Sequence, residues 1–88
     1  MTTIFVKHKV KDYANWKRAY DAFDATRKKL GVTGDSVYRD ADDSSNVIVT
    51  HTFKDTSAAK AFVGSEELKS AMEQAGVAGP PEIWFGEA

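Results

Sequence analysis

The stretch NVIVTHTFKD, residues 46–55, alternates apolar and polar side chains like a half-buried strand, yet places His51 on the valine side. With period two, Val47, Val49, His51 and Phe53 share one face, and Ile48, Thr50 and Thr52 the other. The second stretch of this kind lies near the start. In residues 3–10, Ile4, Val6, His8 and Val10 face one way, and Phe5, Lys7 and Lys9 the other. These two stretches hold the chain's only histidines.

Between and after them the pattern changes to helical spacing. Asp12 offers an N-cap to a helix whose stripe runs Tyr13, Trp16, Tyr20, Phe23 and Leu30. Arg27, Lys28 and Lys29 suit its negative end and Gly31 its left-handed close, so this basic run reads as a helix end rather than a nucleic-acid patch. A short strand at 36–39 precedes the turn cluster DADDSSN, whose aspartates lack the glycine and final glutamate of a calcium loop. Thr56 is read as the cap of a second helical region carrying Ala58, Ala59, Phe62 and Val63. Gly64-Ser65 recaps it, and Leu68, Ala71, Met72 and Ala75 continue it to Gly76. Gly79-Pro80-Pro81 then separates it from a last strand at 82–85, closed by Gly86.

The order β-α-β-β-α-β, without repeat or linker, predicts an α+β, ferredoxin-like domain over residues 1–88: a four-stranded antiparallel sheet with helices on one face. On this reading the first and third strands are central and mutually parallel, and both histidines face the helices side by side. The other face, with Phe5, Lys7, Ile48, Thr50, Thr52 and Trp84, is too apolar to be simply solvated and no helix remains to cover it. Two such faces packed together make a homodimer.

Composition narrows the chemistry. A chain of 88 residues is short for a stable single core, and with no cysteine neither disulfides nor thiolate metal sites can reinforce it. A net charge of −1 gives no electrostatic reason for nucleic acid or anionic membrane as partner. With no secretory leader or long apolar run, a soluble, cytoplasmic protein is expected. Two histidines with no carboxylate on their face fall short of the three ligands a catalytic zinc takes, so no metal is expected. Two readings of the histidines remain: general acid–base work, since neutral imidazole accepts and returns protons near neutral pH, or two partly buried structural residues satisfied by each other, a tyrosine or water.

The stretches FVKHKVKDYANWKRAY, YRDADDSSNVIVTHTFKD and SEELKSAMEQAG together resemble the antibiotic biosynthesis monooxygenase-like family of dimeric α+β barrels. The resemblance implies a pocket between sheet and helices of each subunit. It also implies a small cofactor-independent enzyme, monooxygenase-like or cyclase-like, acting on an aromatic or enolisable molecule. The alternative is a barrel that only binds a small apolar ligand, or one that binds none. Met72 stands where haem-degrading relatives place their iron-binding histidine, so no haem is expected. The family's strand-one polar position falls near Val6, beside His8, and its strand-three pair becomes His51 and Phe53. The expected site therefore has His51 as base and His8 as its partner, walled by Val6, Val49, Phe53, Tyr20, Phe62 and Met72.

Overall fold

Alternation in the two histidine-bearing stretches produces the two central strands of the sheet. The computed structural model describes residues 1–88, with β1 at Thr2–Val10, β2 at Gly34–Arg39, β3 at Asn46–Phe53 and β4 at Val77–Glu87. The helices are α1 at Tyr13–Ala22, α2 at Asp24–Lys29, α3 at Thr56–Val63 and α4 at Glu66–Gln74. The strands lie in the order β2-β3-β1-β4, every neighbouring pair antiparallel. This is the ferredoxin-like α+β architecture expected, with one correction: β1 and β3 run antiparallel. The crossover through α1 and α2 makes β1 parallel to β2, and β3 inserts between them in the opposite sense.

One face of the sheet and the helices form the core. Ile4, Val47 and Phe53 are wholly buried, with Val6, Val10 and Val49 beside them and Trp16, Ala59 and Phe62 from the helices above. Fully burying side chains of this size stabilises by about 1.5–3 kcal/mol each, so a few residues decide whether this small domain folds.

Local chemistry sets the element ends. The Asp12 carboxylate accepts the Asn15 amide at 3.1 Å, and Ser65 accepts that of Leu68 at 3.2 Å. Asp55, rather than Thr56, caps α3, accepting the Ala58 amide at 2.8 Å. The long first helix breaks at Phe23, which ends α1 and starts α2. Gly31 follows α2 with φ +103°, a left-handed conformation that disfavours a side chain.

The last strand starts five residues earlier than its apolar pattern indicates. Val77 and Ala78 pair with Val10 and Lys9, and the register then slips across Gly79-Pro80-Pro81 before Glu82 meets Lys7. An edge strand has no neighbour on its outer side, so it accommodates prolines that a central strand excludes.

The opposite face carries Phe5, Trp84, Tyr38 and Ile48, with Phe5 facing Trp84 across β1 and β4 and Tyr38 facing Ile48 across β2 and β3. Phe5, Trp84 and Tyr38 are 42%, 50% and 58% exposed. The helices leave this face uncovered. No helix is long and apolar enough to cross a membrane.

Candidate active site

Where the helices meet the sheet they do not fill the space between. A cavity of about 70 Å³ remains, floored by Ile4, Val6, Val49 and Ile83 and walled by Trp16, Tyr20, Phe62, Leu68 and Met72. A water molecule needs about 10–15 Å³ of such space, so the cavity as it stands holds several waters or a ligand of few heavy atoms. A larger ligand requires a wall to move, and α4 is suited to that. It has no fully buried residue, and a groove on its far side shares Val63, Leu68, Met72 and Ile83 with the cavity.

Both histidines face this space, His8 5% and His51 4% exposed. Pairing decides their separation. His51 lies opposite Ile4, Val49 opposite Val6, and Val47 opposite His8. The two imidazoles therefore sit four residues apart along the sheet, roughly 13 Å at the usual strand rise. The expected side-by-side pair does not form, and the two rings cannot share a proton or a metal ion. Aromatic rings span the gap: His8 lies 5.5 Å from Trp16, Trp16 stacks on Tyr20 at 5.0 Å, and Tyr20 is 6.2 Å from His51.

Neither ring nitrogen of either histidine meets a hydrogen-bonding partner in the protein. Burial in apolar surroundings disfavours the imidazolium. The pKa of His51 falls to about 4, through burial first and the Arg27 guanidinium second, with Asp35 pulling weakly the other way. That of His8 is lowered by burial. At neutral pH both rings are uncharged, each with one donor and one acceptor nitrogen.

Arg27 is a residue whose role the sequence reading missed. The expected helix-end cation is instead 3% exposed and lines the cavity. Its guanidinium covers the Tyr20 ring at 3.7 Å, donates to the Tyr20 carbonyl at 2.5 Å and to Asp24 at 3.3 Å, and lies 3.7 Å from Asp35. Its Nε–H has no partner. The signal was in the spacing: Trp16, Tyr20, Phe23, Arg27 and Leu30 continue one stripe, with Arg27 inside it.

Asp35 was missed as well. It sits opposite His51 across β2 and β3, so a carboxylate does share the histidine face, contrary to expectation. It accepts the Tyr20 hydroxyl at 2.5 Å. Burial, and then this bond, push the Tyr20 pKa up beyond the ordinary phenol range, so Tyr20 keeps its proton and serves as wall and clamp.

Of the expected wall, Val6, Val49, Tyr20, Phe62 and Met72 line the cavity. Phe53 does not. It lies behind Phe62, ring centroids 5.3 Å apart, and belongs to the core beneath. Trp16, Ile83 and Leu68 are among the further lining residues, helix and edge-strand side chains that only packing brings together.

No protein-family model matches this sequence, and neither does any curated protein. Solved structures do match the fold over almost the whole chain. A candidate antibiotic biosynthesis monooxygenase from Bordetella bronchiseptica superposes with a TM-score of 0.86 at 11% identity, over 99% of this chain and 95% of that one. SnoaB, a cofactor-independent oxygenase from Streptomyces nogalater, gives 0.81 at 12% identity, over 99% and 91%. A candidate antibiotic biosynthesis monooxygenase from Caulobacter crescentus gives 0.80 at 19% identity, over 99% and 88%. The chain thus has the fold of antibiotic biosynthesis monooxygenase-like proteins. At these identities the likeness is one of fold, and a fold hosts many chemistries.

Proposed function

We propose that the cavity is the reaction site for a small aromatic or enolisable molecule, transformed without a bound cofactor, with His51 as proton acceptor. The observation that carries this reading is a buried imidazole with no protein partner on either nitrogen, facing a cavity beside a buried guanidinium. Buried polar groups are ordinarily satisfied, so an imidazole left free in a pocket has capacity for a ligand. Removal of a phenol or enol proton by His51 leaves a delocalised anion, the electron-rich species that reduces O₂ in a monooxygenase or attacks a carbonyl in a cyclase. The likeness to SnoaB, a cofactor-independent oxygenase, supports the first of these. His8, at the other end of the Trp16–Tyr20 stack, is assigned to hydrogen-bond the ligand's far end. Two chains associating through their open sheet faces complete the barrel.

One observation favours ligand binding without turnover: an imidazole with a pKa of about 4 is a weak base. His51→Gln separates the readings, because glutamine keeps hydrogen-bonding capacity and cannot take up the proton. Oxygen consumption is measured with phenolic and 1,3-dicarbonyl probes, and binding by shifts of the imidazole NMR signals. The enzyme reading expects turnover to fall by at least about a hundredfold in His51→Gln, the scale of a lost general base, while binding stays within tenfold. Equal turnover in both proteins removes His51 as base, and binding with no turnover in either leaves the carrier reading. Met72→Trp, which fills the cavity from α4, should abolish binding in either case.

A further inference from the structure

We infer that Arg27 and His51 together recognise an ionised oxygen, so that the site selects a small acid in its anionic form over a neutral molecule of the same shape. This rests on the cavity being the ligand site and not on His51 acting as base, because an acid bound already ionised has left its proton in the solvent and meets the neutral His51 ring as a hydrogen-bond donor. The acids meant are acidic phenols, enols and carboxylic acids, which share an oxyanion attached to a small planar group.

The argument starts from a charge in an expensive place. A guanidinium stays protonated in proteins, so Arg27 carries its charge into a wall where it is 3% exposed. Its compensation is incomplete. Asp24, at 3.3 Å, is half in solvent and also pairs with Lys28 at 3.0 Å. Asp35, at 3.7 Å, is engaged by the Tyr20 hydroxyl. One Arg27 donor, Nε–H, remains without a partner. The guanidinium covers the Tyr20 ring and that ring adjoins His51, so cation, phenol and imidazole form one continuous wall.

Every other element facing the cavity is uncharged there. The helices α3 and α4 contribute Phe62, Val63, Leu68, Ala71, Met72 and Ala75. The strands contribute apolar side chains and two neutral histidines, so Arg27 is the one fixed charge among the lining residues. An anion entering such a space gains a counter-charge that water screens little, and a hydrogen bond from the neutral His51 ring. A neutral molecule of equal size gains only the apolar contacts. Burial is the first cause of the low His51 pKa and disfavours any charge; the second, the Arg27 guanidinium, is the part that disfavours an imidazolium and favours an oxyanion beside it.

The test uses 4-nitrophenol, whose anion absorbs in the visible, with nitrobenzene as the neutral shape control. Both are titrated with wild-type protein at a pH below the free phenol's pKa. The expected result is a phenolate band appearing on binding, equivalent to a bound pKa lowered by about one unit or more, a tenfold preference for the anion. In Arg27→Gln the band should vanish and 4-nitrophenol binding weaken at least tenfold, with nitrobenzene within threefold. Arg27→Lys should retain part of the band, because it keeps the charge and loses the planar fork. Bound 4-nitrophenol that stays neutral in the wild type overturns the inference while nitrobenzene binding leaves the ligand site standing. Equal weakening of both probes in Arg27→Gln also overturns it, reducing Arg27 to a wall support. Binding of neither probe to the wild type brings down the ligand site and this inference together. The wild-type spectrum needs no variant, so a misfolded Arg27→Gln cannot rescue the idea.

Discussion

Ile48→Lys is expected to be a monomer where the wild type is expected to be a dimer, and to melt more than about 10 °C lower, the scale of losing two or more kcal/mol from a domain this small. Ile48 lies on the open sheet face, opposite Lys7 on β1 and Tyr38 on β2. A lysine there places two like charges across neighbouring strands in the patch that Phe5, Tyr38 and Trp84 leave exposed. A face so apolar on so small a domain is the mark of association, and a second copy offers a face of the same shape and chemistry. Burying it removes from water the aromatic rings that a single chain cannot cover, and ten buried apolar residues are a slender core on their own. Sedimentation equilibrium at micromolar concentration should give twice the chain mass for the wild type and the chain mass for Ile48→Lys. The wild-type melting temperature should rise with protein concentration, and the variant's should not. A wild type at single-chain mass, with a melting temperature indifferent to concentration, refutes the barrel.

Acidification is expected to destabilise the wild type well before its carboxylates titrate. His51 has a pKa of about 4 in the folded chain against 6.5 unfolded, so between these values the unfolded chain binds more protons. Stability therefore rises with pH across that window: the contribution of neutral burial is complete above about 6.5 and lost as pH falls toward 4. The size is about 3 kcal/mol for His51 alone, and His8, lowered in the same direction, adds to it. The depressed carboxylates act lower down. Asp24 is held by Lys28, Asp40 by the Asp42 amide, Asp43 by Ser45 and Glu87 by Thr2, so their contributions are present above the ordinary carboxylate range and disappear below it. His51→Gln should flatten the stability profile between pH 6.5 and 4.5, so that it is less stable than wild type at pH 7.5 and the gap closes or reverses by pH 4.5. Urea unfolding across this range, with NMR titration of both imidazoles, decides the matter. A His51 midpoint near 6.5 in the folded protein removes both the acid sensitivity and the buried site.

Read alone, the sequence determined the element order, the sheet with its helices on one face, and the sides on which His8 and His51 stand. Those features follow from periods of two and 3.6, local properties written in consecutive residues. Gly31 and Ser65 were legible for the same reason, since the conformation of a helix end depends on its own few residues. The tertiary structure decided everything that joins distant segments. Whether the histidines touch depends on the register of β1 against β3, and alternation fixes the face of a side chain without fixing its partner. Arg27 sits in a run of three basic residues that reads as a solvated helix end. Its burial comes from the Tyr20 ring beneath it and the Asp35 carboxylate brought alongside by β2. Phe53 and Phe62 look alike as aromatic residues on apolar faces, and only the stacking of one behind the other makes the first core and the second cavity wall. The extension of β4 through Gly79-Pro80-Pro81 likewise depended on its being an edge strand, where a missing amide leaves no bond unmade on the outer side. A site built across seven elements is a matter of distances in space, and side-chain type and spacing along one chain do not encode the packing that sets them.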